Sequence, residues 1–264
     1  MNIFIRELKS NFKSLLIWGG IVIFFSWIGF SKFSAYYDNP ELLEILSTLP
    51  QPMLDAFNFN AFNLTTLVGF YGVMFAYFGL MVSIAAAMWG SDIISKEERD
   101  KTVEFSLTLP VTRGKLITAK IAAALINCIV LNLITWGALY LSPQQYNPTS
   151  EYYDFVAMGM LALFLMQLIF LAIGILLGCA MQQHKRSSAA AVSILMVTYF
   201  FSIISGLYEK LDFLKYASPF KYFDPKMILN ESKLDPLYVG ISVSIIVVAL
   251  FFSYLTYSRR DLYI

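Results

Sequence analysis

Charge is scarce in this chain. Of its 264 residues, 14% are Asp, Glu, Lys or Arg, against about 25% in a soluble globular protein. The formal net charge is +1, which removes any electrostatic case for nucleic acid as a partner. There is one histidine, His184, in Gln-Gln-His-Lys-Arg. No second ligand or nucleophile stands at a spacing that would give it a metal or catalytic role. Two cysteines, Cys128 and Cys179, fall at different depths of two apolar runs, so they read as packing residues and not as a disulfide. A phosphate loop is also missing. Gly114-Lys115 looks like the end of one, but the pattern needs a Gly five residues earlier and Ser or Thr after the Lys. Leu109 and Leu116 occupy those positions. Nothing in the sequence points to a catalytic, cofactor or metal site in this chain.

What the chain does have is hydrocarbon. It is 58% hydrophobic with a mean hydropathy of +0.65. Charge-free stretches run over 14–31, 56–91, 121–150, 155–183, 187–208 and 236–258. Each can hold the roughly 20 residues that cross a ~30 Å hydrocarbon layer as a helix. The expected spans are 15–33, 65–89, 116–141, 155–181, 188–208 and 237–257. Continuous Leu/Ile/Phe/Ala runs argue against the alternating ten-residue strands of a barrel. The fold class is therefore an all-α polytopic membrane protein, read as a single transmembrane domain over 1–264. Arg6, Lys9 and Lys13 before the first run would also suit a signal peptide. That run is long, contains Trp18 and Trp27, and ends in no small-x-small site, so a retained signal-anchor is expected.

Six spans put both termini on one side. That side collects 1–14, 92–120, 182–186 and 258–264, with Arg6, Lys9, Lys13, Lys96, Arg99, Lys101, Arg113, Lys115, Lys120, Lys185, Arg186, Arg259 and Arg260. The positive-inside rule makes it the cytoplasm. Segment 209–236 carries five lysines yet falls outside by parity; five acidic residues keep it nearly neutral. Its Pro219, Pro225 and Pro236 and its aromatics suit either a re-entrant element or an ordered external loop. Residues 1–14 place Phe4, Leu8 and Phe12 at helical spacing and read as an interfacial helix on the inner leaflet. Segment 34–63 reads as two short acidic amphipathic pieces at the outer surface.

The spans contain almost no ionisable group. Lys32 and Lys120 lie near span ends, and Asn127, Asn132, Thr135 and Gln167 are the notable polar residues. A proton-coupled carrier normally uses a buried carboxylate, so energy for uphill transport would enter from another subunit. Asn127, Asn132 and Gln167 are candidates for a translocation path, with helix–helix hydrogen bonding as the alternative. Gly174 and Gly178 form GxxxG, a close-approach face.

The outstanding segment is Asp92–Lys120, which holds eleven of the thirty-seven charges. It begins with the cluster Glu97-Glu98-Arg99. Val103, Phe105, Leu107 and Leu109 satisfy both strand alternation and helical i+4 spacing, and Pro110 ends the element. Thr112 can cap the helix that becomes the third span. In this order the acidic/basic cluster, Thr102, Glu104, Leu107, Pro110, Thr112-Arg113 and Lys120 resemble the membrane subunits of ATP-binding cassette (ABC) transporters of the type-2 permease family. Lys101 stands where that family usually has Gly. The layout around the loop is similar too, including Ser218-Pro219-Phe220 before the sixth span and the terminal Arg259-Arg260-Asp261.

The resemblance implies an exporter half. Two permease chains pair, and two nucleotide-binding ATPase subunits, which bind the ATP and magnesium, dock beneath them. The membrane would be the prokaryotic plasma membrane, with both termini cytoplasmic. The coupling loop would span 92–115, with Glu97, Glu98, Arg99, Thr102, Glu104, Leu107, Pro110 and Arg113 contacting the ATPase. Helices one and five would form the dimer contact. Cargo in that family is a hydrophobic or amphipathic drug, peptide or lipid, a polysaccharide, or in a few cases sodium. A non-transporting immunity or sensor component would equally lack catalytic residues, but it leaves the charged loop without a use. An intramembrane enzyme would need a nucleophile–base pair, and none is visible.

Overall fold

A computed structural model describes residues 3–37, 62–99, 111–181, 183–207, 209–231 and 233–259, with isolated positions 39, 41, 48, 50 and 54. Among these residues there is helix and no strand. The long helices are α1 (Ile3–Phe33), α2 (Leu67–Arg99), α3 (Arg113–Leu141), α4 (Ser150–Ala180), α5 (His184–Leu207) and α8 (Pro236–Arg259). All six are long and apolar enough to span a bilayer. Between α5 and α8 lie a 3₁₀ segment (Glu209–Ala217) and two short helices, α6 (Pro219–Tyr222) and α7 (Pro225–Glu231), both opening on proline. Proline suits a first helical turn, where its missing N–H has no partner to lose. The two amphipathic pieces expected in 34–63 lie largely outside the described residues.

The centre of the bundle is the α2–α4 pair. In the 18-residue apolar window of each of these helices 61% of residues are buried, against 17% in those of α5 and α8. Glycine lets the two backbones meet. A Cβ at Gly174 would stand 2.4 Å from the Ala87 carbonyl oxygen, and one at Gly90 would stand 2.4 Å from that of Leu171. Gly178 meets Ser91 in the same way. The GxxxG face is thus an intrachain seam. With no hydrophobic drive between helices in lipid, such close packing supplies the association energy. Tyr71, Phe75 and Phe78 of α2 are buried, whereas Phe24, Trp27 and Phe200 face outward. Cys128 and Cys179 are buried and form no disulfide.

The expected boundary at residue 14 is absent. The helix runs unbroken from Ile3 to Phe33, with no proline to stop it and its first glycine at position 19. The inward face of its first turns is also more polar than the periodicity suggested. Glu7, Asn11 and Leu15 point into the protein, while Phe12 is exposed.

Candidate coupling site

The charged loop leaves the end of the bundle that carries both termini. α2 outruns its apolar span and carries helix to Arg99. α3 starts at Arg113, and the Thr112 hydroxyl accepts from the Lys115 N–H at 3.3 Å, the N-cap expected from the sequence. Thr102, Glu104, Leu107 and Pro110 lie outside the described residues. Glu97, Glu98 and Arg99 occupy the last turn of α2, and their side chains are outside the description. Of the predicted contact residues, Arg113 is fully described. Its Nη1 donates to the Ser258 carbonyl at 3.2 Å, at the C-terminal end of α8, where a helix dipole favours a cation. One turn on, the Thr118 hydroxyl shares a 2.7 Å hydrogen bond with the Tyr254 hydroxyl.

The root of the loop is held by buried polar contacts that the sequence reading did not find. Lys96 of α2 pairs with Glu7 of α1, and its Nζ also donates to the Ser10 hydroxyl at 3.2 Å. Both charges are nearly inaccessible, at 6% and 1% exposure. Arg6 lies beside the same carboxylate at 3.4 Å. Two turns deeper, the Trp89 indole N–H donates to the Ser14 hydroxyl at 2.8 Å. Glu7, Ser10 and Ser14 thus form one stripe of α1, facing the last three turns of α2. Lys120, placed near a span end by the sequence, is fully buried and donates to the Ile93 carbonyl at 2.8 Å. Ser91 shares a 2.9 Å hydrogen bond with Ser188 of α5. The final turns of α2 are therefore tied to α1, α3 and α5 at once. A signal for Glu7 did exist: it falls on the same helical face as Phe4, Leu8 and Leu15, where a carboxylate needs a partner.

The three candidate path residues sit elsewhere, inside the bundle. Asn127 and Gln167 are buried, and Asn132 nearly so. Asn132 donates to the Met160 carbonyl at 3.2 Å, so it joins α3 to α4. The Asn127 amide nitrogen and both Gln167 amide atoms are buried without a hydrogen-bond partner among the described residues, as is the Ser83 hydroxyl on α2. Among the described residues there is no cluster of three metal-ligating side chains.

Six apolar helices, with α2 extended and tied to three neighbours at the root of a charged loop, define a multi-pass membrane component of the permease type. The chain belongs to the ABC-2 family of transporter proteins, whose family model matches residues 1–262. It is thus a membrane component of an ABC transporter, a family that works with an ABC ATPase partner. A comparison with curated proteins finds no match.

Proposed function

We propose that this chain is the permease subunit of an ATP-driven exporter. Two copies would form the translocation path, and two ATPase subunits, carrying the ATP and magnesium, would dock on the 92–115 loops. Both termini would be cytoplasmic in a prokaryotic plasma membrane. The observation that carries this reading is the anchoring of the loop root. A push on the loop is useful only if it moves spans and is not lost in slack. Lys96 to Glu7, Lys120 to Ile93, Ser91 to Ser188 and Arg113 to Ser258 connect the two ends of the loop to α1, α2, α3, α5 and α8. Closure of the ATPases on ATP would then tilt these helices together. Glu97, Glu98, Arg99, Thr102, Glu104, Leu107, Pro110 and Arg113 are the proposed contact residues. Asn127, Asn132 and Gln167 would act inside each copy, as polar joints between moving helices. The cargo class is a hydrophobic or amphipathic peptide, drug or lipid, consistent with spans that offer aromatic surface and almost no charge.

The test is co-expression with the ABC ATPase encoded alongside, followed by purification and ATP-turnover assays. The wild-type chain should retain the ATPase, and charge reversal at Glu98 and Glu104 together should lower turnover about tenfold or more. That loss corresponds to about 1.4 kcal/mol of coupling, the weight of one or two charge-assisted contacts. Failure of any ATPase to co-purify contradicts the exporter reading. Full turnover in the double reversal contradicts the contact assignment alone.

A further inference from the structure

The three central helices each bury one uncharged polar side chain that the packing leaves unpaired. They are Ser83 of α2, Asn127 of α3 and Gln167 of α4, at 0%, 1% and 0% exposure. The Ser83 Oγ, the Asn127 Nδ2 and both Gln167 amide atoms have no hydrogen-bond partner among the described residues.

Helix register brings the three to one level. A Cβ at Gly79 of α2 would meet Met166 at 3.1 Å and Leu163 at 3.4 Å, and one at Gly90 would meet the Leu171 carbonyl at 2.4 Å. Ser83 lies between those glycines, one turn beyond Gly79. Gln167 lies midway between Leu163 and Leu171, so both side chains fall in the α2–α4 seam at one height. Asn127 is placed by the hydrogen bond from Asn132 to the Met160 carbonyl. From that contact toward the termini, Asn127 lies ~8 Å along α3 and Gln167 ~11 Å along α4, at about 1.5 Å per residue. Asn127 also stands two turns beyond Lys120, which reaches the Ile93 carbonyl of α2. The shared level is near the middle of the apolar span Leu67–Lys96, where lipid offers a polar group nothing to bond.

The atoms themselves select the ligand. Two amide NH₂ groups need acceptors, an amide carbonyl needs a donor, and a hydroxyl serves as either. A hard cation takes oxygen ligands only and would leave both NH₂ groups unmet. An anion would set its charge against the Gln167 carbonyl oxygen. Water both donates and accepts, and a buried water commonly makes about three hydrogen bonds to groups that otherwise lack them. We propose that the α2–α3–α4 core holds internal water at the level of Ser83, Asn127 and Gln167, bridging the three helices in the middle of the membrane. The site stands independently of the exporter reading, because helix packing alone defines it.

The test is radiolytic footprinting of the full chain in nanodiscs, read by mass spectrometry. A short X-ray pulse makes hydroxyl radicals from bound water as well as bulk water, and these oxidise the side chains within reach. Met166 and Cys128 are the reporters, buried at 2% and 0% exposure, each next in sequence to a site residue. Both should be oxidised in the wild type. The triple variant Ser83→Ala, Asn127→Leu, Gln167→Leu should lower that oxidation about fivefold or more, because apolar groups hold no water. If a melting curve shows that the triple variant does not fold, Gln167→Leu alone should lower it about twofold or more, since it removes two of the four polar atoms. The wild-type melting temperature should be the same in sodium chloride and choline chloride. Unoxidised reporters in the wild type overturn the proposal, and so does oxidation that persists in the folded variant. A melting temperature raised by sodium would show a cation site and overturn it as well.

Discussion

Among the described residues, Glu7 and Lys96 form the salt bridge with both partners buried. Each is a full charge withdrawn from water, and each is tolerable because the other is there. Removing Glu7 leaves the buried Lys96 with the Ser10 hydroxyl, and removing Lys96 leaves Glu7 with the more exposed Arg6; a broken buried pair costs about 3–5 kcal/mol. Glu7→Gln and Lys96→Met should therefore each lower thermal stability sharply. The double variant should recover much of the loss, because replacing both charges removes the desolvation penalty along with the attraction. Size-exclusion survival after heating measures this, and additive losses in the double variant would show that the two charges do not act as a pair. A further consequence falls on coupling. Lys96 precedes the proposed ATPase contacts by one residue, so the double variant should fold and still turn over ATP poorly if the pair fixes the loop root.

At the scale of elements, the α2–α4 seam is set by glycine. Gly90 and Gly174 have no room for even one carbon, because what they face is backbone carbonyl and not a movable side chain. Gly174→Leu must part the helices, with overpacking costs of about 1–3 kcal/mol or more. Gly20 on the outward face of α1 has open space around it, and Gly20→Ala should be neutral or stabilising by about 0.5–1 kcal/mol through helix propensity. Measured melting temperatures should separate the two variants by many degrees, and equal effects would remove the seam from the account. All six spans were legible in the sequence, because charge-free length is a direct physical requirement of a helix in hydrocarbon. The helical cap at Thr112 was legible too, since a hydroxyl ahead of a charged, then apolar, helix has one obvious use. The extent of α1 and α2 was not. Hydropathy marks where lipid begins, but helix continues beyond it wherever a neighbouring helix satisfies the polar side chains, as Glu7, Ser10 and Ser14 do for Lys96 and Trp89. The dip at Ser218–Phe220 was equally open, because proline and aromatic residues fit a loop over the bundle as well as a turn inside it. The structure sets this turn against the bundle, with the Ser218 hydroxyl donating to the Thr198 carbonyl of α5 and Phe220 against Phe170 of α4.

The whole molecule combines a rigid centre with lightly packed flanks. α2 and α4 form the core, α3 leans on both, and α1, α5 and α8 expose most of their surface. Flanking helices of this kind can shift against lipid without opening the core. The buried polar ties are densest at the end that carries the termini, where a family partner would push. The opposite end carries the 3₁₀ segment, α6 and α7. Under the proposed function, force would enter through the 92–115 loop at the end that carries the termini and act on the helices anchored at its root. The most direct test places a single cysteine at Thr102, in a background where Cys128 and Cys179 are replaced by Ala, and cross-links it to the co-expressed ATPase with a short bismaleimide. The account predicts a cross-linked permease–ATPase product from Thr102→Cys and none from Asp212→Cys, which lies in the 3₁₀ segment at the far end. A product from Asp212→Cys, or none from Thr102→Cys while the complex stays assembled, would contradict it.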